Sequence, residues 1–401
     1  MTTRAQPAAA VRPMHLAVIP QNPVMPLDNG AKIRNFHLFR ALASRHRVSL
    51  LLTDPPPDEG LEALAAAGIE PVPLPKPRWR HLAYVGSLGR GAPVYFAAQT
   101  NPSVRGWLRT HADEVDAVVT GSIGPTLNVP RRLGRPVLVD THNVEAARRA
   151  SELSAYRGGP DMLTKRLFGL GTAAFERRVL RASARVYVCS ADEGRMLLGA
   201  GIANVAVVPN GVDVEAVRPA PEPDEGYVLF HGDLAYGPNV AAAQWIAREI
   251  ATALRRRVPG VRIVVAGRDV PPDVRAELEA ARVEVRSPVA DMRVELAGAS
   301  VVLVPLRSGG GTRLKILEAF GAGRAVVSTA LGAEGIEAVN RRHLLISDSA
   351  VGLADEVAAL LEEPERRREL AANGRRLAED RYGWDAIGAS LLDDVEAVVA
   401  P

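Results

Sequence analysis

The sequence predicts an α/β chain built from two doubly wound units, and three observations carry that expectation. From Met14 onward, short apolar runs rich in Val, Ile and Leu alternate with longer amphipathic stretches, the pattern of βαβ units around a buried parallel sheet. A turn-rich stretch, Val208-Pro209-Asn210-Gly211-Val212-Asp213 with Pro219, Pro221 and Pro223 behind it, interrupts the alternation where a linker is expected. A length of 401 residues suffices for two or three cores that need no covalent staple.

The elements follow in order. A leader over 1–13 lacks the apolar continuity of a signal segment and is expected to be disordered. The first unit, 14–214, has strands expected at His15–Ile19, Val48–Thr53, Ala117–Thr120, Pro136–Asp140, Ala184–Cys189 and Val205–Val208, with helices such as Ala31–Arg45 and Leu163–Arg181 between them. The second unit, 215–381, restarts with Tyr227–His231, Arg262–Ala266, Val283–Val285, Val301–Pro305, Ala325–Ser328 and His343–Ile346. After Pro364 the chain reads as helix almost to its end.

Composition narrows the function. Hydrophobic residues at 47% and charged residues at 24% describe a globular chain and exclude a disordered or collagenous one. Forty-nine basic against 46 acidic residues leave a net charge of only +3, interspersed along the chain, so nucleic acid is not an expected partner. No apolar run reaches the ~18 residues of a membrane span, which leaves at most peripheral membrane contact. The single Cys189 excludes an intrachain disulfide and a cysteine metal cluster, and fits a reducing, cytoplasmic setting.

In doubly wound sheets ligands bind outside the carboxyl ends of the strands, so the residues after each strand carry the chemistry. The first strand delivers Asp28-Asn29-Gly30 to the start of a helix that carries Lys32 and Arg34; glycine there permits close backbone approach, and a helix start favours an anion. The strand at Pro136–Asp140 is followed by Thr141-His142-Asn143-Val144-Glu145, which sets an imidazole in a polar cluster on a loop. The most specific segment runs from Val304 to Phe320, where Gly309, Gly310 and Gly311 form a loop and Thr312 opens a helix with Arg313 and Lys315 in its first turn. Cations there oppose the helix dipole, a mismatch that a bound diphosphate relieves. Glu318, on the same face as Lys315, suits a ribose diol, its bland alternative being an ordinary i,i+3 salt bridge. The loop is neither a Walker motif nor a GxGxxG fingerprint, and no metal-ligand spacing occurs. Ser190 lacks the nucleophile-elbow context and reads as a helix cap paired with Glu193.

Taken together, strand–PNGVD–linker, strand–GDLAYGPN–helix, strand–AGR, PLRSGGGTRLKILEAFGAGRAVVST and a terminal YGW helix resemble the retaining GT-B glycosyltransferases of family 4. More narrowly, they are similar to sugar transferases found with bacterial exopolysaccharide systems, which carry a GGGTRLKxLEA motif. The resemblance spans Met14 to Trp384. It implies two Rossmann-like domains facing a central cleft, with a helix over 382–401 crossing back to the first. It also implies transfer from a nucleoside-diphosphate sugar, UDP- or GDP-linked, to a hydroxyl acceptor, with retention and without metal or other cofactor. The second glutamate of the family's E-x7-E motif, a ribose ligand, falls at Glu318, and the first falls at Gly310. Gly232–Asn239 lacks the family's Arg and Lys, so Arg268, Arg313 and Lys315 are expected to supply that charge, with Gly30, Gly310, Gly311 and Thr312 also at the diphosphate. His142 matches a first-domain histidine near the donor sugar, and Asp28 and Arg34 are expected at the acceptor. A sugar-nucleotide epimerase and a non-catalytic paralogue are the alternatives.

Overall fold

The computed structural model describes residues 12–76, 80–89, 91–148, 171–223, 225–309 and 313–399. Seven strands, β1 (His15–Ile19), β2 (Arg47–Leu52), β3 (Ile69–Pro73), β4 (Ala117–Thr120), β5 (Val137–Asp140), β6 (Arg185–Val188) and β7 (Val205–Val207), form one sheet in the order β3-β2-β1-β4-β5-β6-β7. Six more, β8 (Tyr227–Asp233), β9 (Ile263–Arg268), β10 (Glu284–Arg286), β11 (Ala299–Val304), β12 (Ala325–Ser328) and β13 (Leu345–Ile346), form a second in the order β10-β9-β8-β11-β12-β13. Every pairing is parallel. The strand order therefore reverses between β1 and β4 in one sheet and between β8 and β11 in the other, which opens a crevice at each reversal. This is the GT-B architecture of two doubly wound sheets.

Most elements lie within a residue or two of their expected places. The exception is β3, whose sequence Ile-Glu-Pro-Val-Pro holds two prolines and so argues against a strand. It occurs at the sheet edge, where one side needs no donors for a neighbour. The helix expected over Leu163–Arg181 is described only from Thr172 to Ala182, its earlier part lying outside the described residues, as does most of the 1–13 leader.

The chain after Pro364 makes two helices, the second beginning within two residues of the expected 382. Pro364–Tyr382 ends at Gly383, whose extended backbone bridges Val212, and Trp384–Val399 then begins. The second helix turns Trp384, Ile387, Leu391, Leu392 and Val395 inward at three- and four-residue spacing. They enter the first sheet's core beside Leu38, Phe39 and Leu42 of the Gly30–Ala43 helix. Val212 and Gly383 thus mark two adjacent chain crossings between the halves.

Candidate active site

The reversal between β8 and β11 gathers the charged groups of the second half. At the end of β8, Gly232 has a φ of 151°, and a Cβ there would lie 2.9 Å from Asn239 Nδ2 and 3.1 Å from Lys315 Nζ. Glycine thus clears space for those two side chains. Lys315, in the first turn of the Leu314–Gly321 helix, donates from Nζ to Asn239 Oδ1 at 2.7 Å and sits 4.4 Å from the Phe230 ring centroid. Asn239 in turn donates from Nδ2 to the Asp233 carbonyl at 2.7 Å. Burial pushes the Lys315 ammonium down to about 7, against the pull of the Glu318 carboxylate, and Arg313 adds to the push.

Glu318 follows one turn later with a third of its side chain (34%) exposed, and its Oε2 lies 3.7 Å from His231 Nδ1. Burial raises the Glu318 pKa, with Lys315 opposing, and drives His231 down to about 3, so that contact involves a neutral imidazole. Arg313 is only 6% exposed, and Nη2 donates to the Gly309 carbonyl at 3.0 Å, so its guanidinium braces the loop. Gly310, Gly311 and Thr312 lie outside the described residues.

Arg268, at the end of β9, binds Asp233 at 2.8 Å and approaches Asp28 of the first half at 3.8 Å. Asp28 also holds Lys32 at 2.9 Å. The two halves meet again where the Gly30–Ala43 and Leu314–Gly321 helices begin, since a Cβ on Gly30 would lie 2.6 Å from Leu314 Cδ1. Gly30 makes room for Leu314, and the contact brings two helix N-termini together, which favours an anion between the halves.

Two families match the chain: the one described as "Glycosyl transferase 4-like domain" over residues 29–211, and "Glycosyl transferases group 1" over 225–363. Both halves of the chain are thus similar to group 1, family 4-like glycosyltransferases. A D-inositol 3-phosphate glycosyltransferase of Xylanimonas cellulosilytica is 30% identical over 258 residues, a match covering 56% of this chain and 59% of that relative. Among solved structures, Anabaena Alr3699/HepE in complex with UDP-glucose superposes with a TM-score of 0.69 at 14% identity, covering 96% of this chain and 100% of that one. The sucrose-phosphate synthase of Thermosynechococcus elongatus gives 0.69 at 17% identity, covering 96% and 99%. At such identities these structures speak for the fold.

The first half offers His142 at the end of β5. Its Nε2 is enclosed without a hydrogen-bond partner among the described residues. Burial lowers its pKa, partly offset by Asp140, so the imidazole is neutral. Arg34 corrects an expectation. It is fully buried, gripping Asp140 through Nη2 at 2.6 Å and Nε at 3.0 Å and donating from Nη1 to the carbonyls of Val208 and Pro209 and to Asn210 Oδ1. Such a guanidinium ties β5 to the loop after β7 and presents no surface to an acceptor. The Ser190 cap forms as expected, with Oγ accepting from Glu193 N, while the Glu193 carboxylate reaches back to Cys189 N.

Sequence reasoning missed Asn239 and Asp233. The signal was present, because the segment that lacks Arg and Lys keeps these two polar residues around Gly232. Among the described residues, no group of three His, Cys, Asp or Glu side chains is placed to hold a metal ion, and no helix is long and apolar enough to cross a membrane.

Proposed function

We propose that this chain transfers a glycosyl group from a nucleoside-diphosphate sugar to a hydroxyl acceptor, with retention and without a bound metal. The observation that carries the reading is Lys315 at the β8/β11 reversal with Glu318 one turn on, a cation for the diphosphate and a partly exposed carboxylate for the ribose. The name of the Xylanimonas relative supports glycosyl transfer, and the UDP-glucose in the Anabaena protein supports a nucleotide-sugar donor. In this reading the anomeric carbon's bond to the diphosphate breaks, a bond to the acceptor oxygen forms, and the acceptor's proton passes to the departing diphosphate. Fixed cations and oriented N–H groups stabilise the negative charge gathering on the diphosphate. His142, neutral, contacts the donor sugar.

The proposed division assigns 14–214 to the acceptor, 215–381 to the donor, and 382–401 to the first domain. A recess of about 280 Å³ at the carboxyl ends of β1 and β2, lined by Gln21, Asn22, Thr53 and Gln99, suits a polyhydroxylated acceptor. The loop that walls it continues to Asp28 and Gly30, which touch the second half. The reading places the reaction in the cytoplasm, with sugar transferases of exopolysaccharide assembly as the nearest functional analogy.

A thermal-shift screen of UDP, GDP and their sugars tests the donor, since ligand at 100 times Kd stabilises by about 2.7 kcal/mol. Turnover of donor with no acceptor present would instead mark an epimerase. Binding without any turnover would mark a non-catalytic paralogue. An absolute requirement for Mg²⁺ or Mn²⁺ would overturn the metal-free mechanism.

A further inference from the structure

Lys315 is held in an unusual way for a buried cation. Among the described residues its hydrogen-bond partner is the neutral amide of Asn239, and the face of Phe230 lies 4.4 Å from Nζ. Asn239 is itself buried, near the start of the Gly237–Trp245 helix, and its amide is oriented by the bond from Nδ2 to the Asp233 carbonyl. That bond fixes which end of the amide faces Lys315, namely the oxygen, an acceptor for an ammonium.

We infer that Asn239 is a positioning residue for donor binding: its Oδ1 holds the Lys315 ammonium at the strand reversal, charged and aimed, until the diphosphate of the donor takes over that charge. This rests on the donor reading above. A neutral amide suits the task. A carboxylate there would compete with phosphate for the lysine, whereas an amide stabilises the charge without cancelling it.

The charged and titratable groups around Lys315 come from every neighbouring element. Glu318 and Arg313 belong to its own helix and the residue before it, and His231 on β8 is neutral. Asp233, at the end of β8, has its carboxylate engaged by Arg268 of β9. Desolvation pushes the Lys315 ammonium down to about 7, so the bond to Asn239 Oδ1 helps to set the pH above which the site loses its charge.

The test is calorimetric titration of UDP, GDP and the corresponding nucleosides between pH 6 and pH 8.5, using wild type, Asn239→Ala and Asn239→Asp. Both variants lose the donor to the Asp233 carbonyl, and they differ in the acceptor presented to Lys315. For Asn239→Ala, diphosphate affinity is expected to fall about tenfold at pH 8 and to recover toward wild type at pH 6, where Lys315 is protonated regardless. For Asn239→Asp, the pH at which affinity declines is expected to move upward. Nucleoside affinity stays within about twofold in both variants. Equal losses at all pH values, or equal losses for nucleoside and diphosphate, would reduce Asn239 to a structural residue. If wild type binds nucleoside diphosphate and neither variant changes its pH profile, this inference alone fails. Absence of any nucleotide binding by wild type would overturn both it and the donor reading.

Discussion

Two buried cations, one in each half, show how the same kind of residue is put to different uses. Arg34 sits in a cage of opposite charge and carbonyl oxygens, with Asp140 against two of its nitrogens, and its guanidinium is held more firmly protonated than usual despite complete burial. Lys315 sits against an amide and an aromatic ring, and burial pushes it down to about 7. The first arrangement satisfies the cation and leaves nothing for a ligand. The second leaves the charge under-compensated, and an incoming anion supplies what the protein withholds.

The largest expected effect breaks this contrast on the Arg34 side. Arg34→Ala leaves Asp140 buried and unpaired and is expected to cost about 3–5 kcal/mol of stability by denaturant titration. Lys315→Met, in contrast, is expected to raise stability, and more at pH 6 than at pH 9.5. The sign follows from proton counting. With Lys315 near 7 in the fold against 10.5 ordinarily, the unfolded chain binds the extra proton between those values, so wild-type stability rises with pH across that window and the variant loses that dependence.

A second prediction sharpens the contrast through ligands. Lys315→Ala is expected to weaken nucleoside diphosphate by about 1.5–3 kcal/mol while leaving nucleoside nearly unchanged, as read by calorimetry at one salt concentration. Glu318→Gln is expected to weaken both ligands by about 1 kcal/mol, because both carry the ribose diol. Equal, near-wild-type affinities in the two variants would leave this helix a purely structural role. His142→Ala is expected to lower turnover while nucleotide affinity stays within about twofold, the split of a group that contacts the sugar and not the nucleotide. The smallest effect is expected at the bridge between the halves: Asp28→Asn removes a partly exposed partner of Arg268 and Lys32, and should change stability by at most about 1 kcal/mol in a salt-sensitive manner.

Sequence patterning made the strands legible because each is a short apolar run between turn residues, and burial on both faces of a parallel sheet demands that composition. It failed at β3, where edge position overrides the veto that proline carries in a central strand. For the candidate site, the placement of Lys315 and Glu318 on one helix was legible from their spacing. Arg34 was misread because a cation near a helix start looks alike whether it faces a cleft or Asp140, a partner 106 positions away in the chain. The bond from Arg313 to the Gly309 carbonyl was equally illegible, being a matter of loop geometry. Asn239 was overlooked because an amide carries no charge signal, and its role exists only through the lysine 76 positions later.

The return of the Trp384–Val399 helix to the first sheet imposes an order on biosynthesis. Strands β1–β7 are complete once residue 207 has been made, yet the apolar face of the Gly30–Ala43 helix receives Trp384, Ile387 and Leu391 only after the whole second sheet has been translated. At about 5–20 residues per second, that is a delay of about 10–40 s during which the nascent first half exposes an unfinished core. A segment made after the second sheet closes the earlier one, so chains truncated before Trp384 should be the aggregation-prone products of an interrupted synthesis, and a supplied 384–399 peptide is the natural reagent to rescue them.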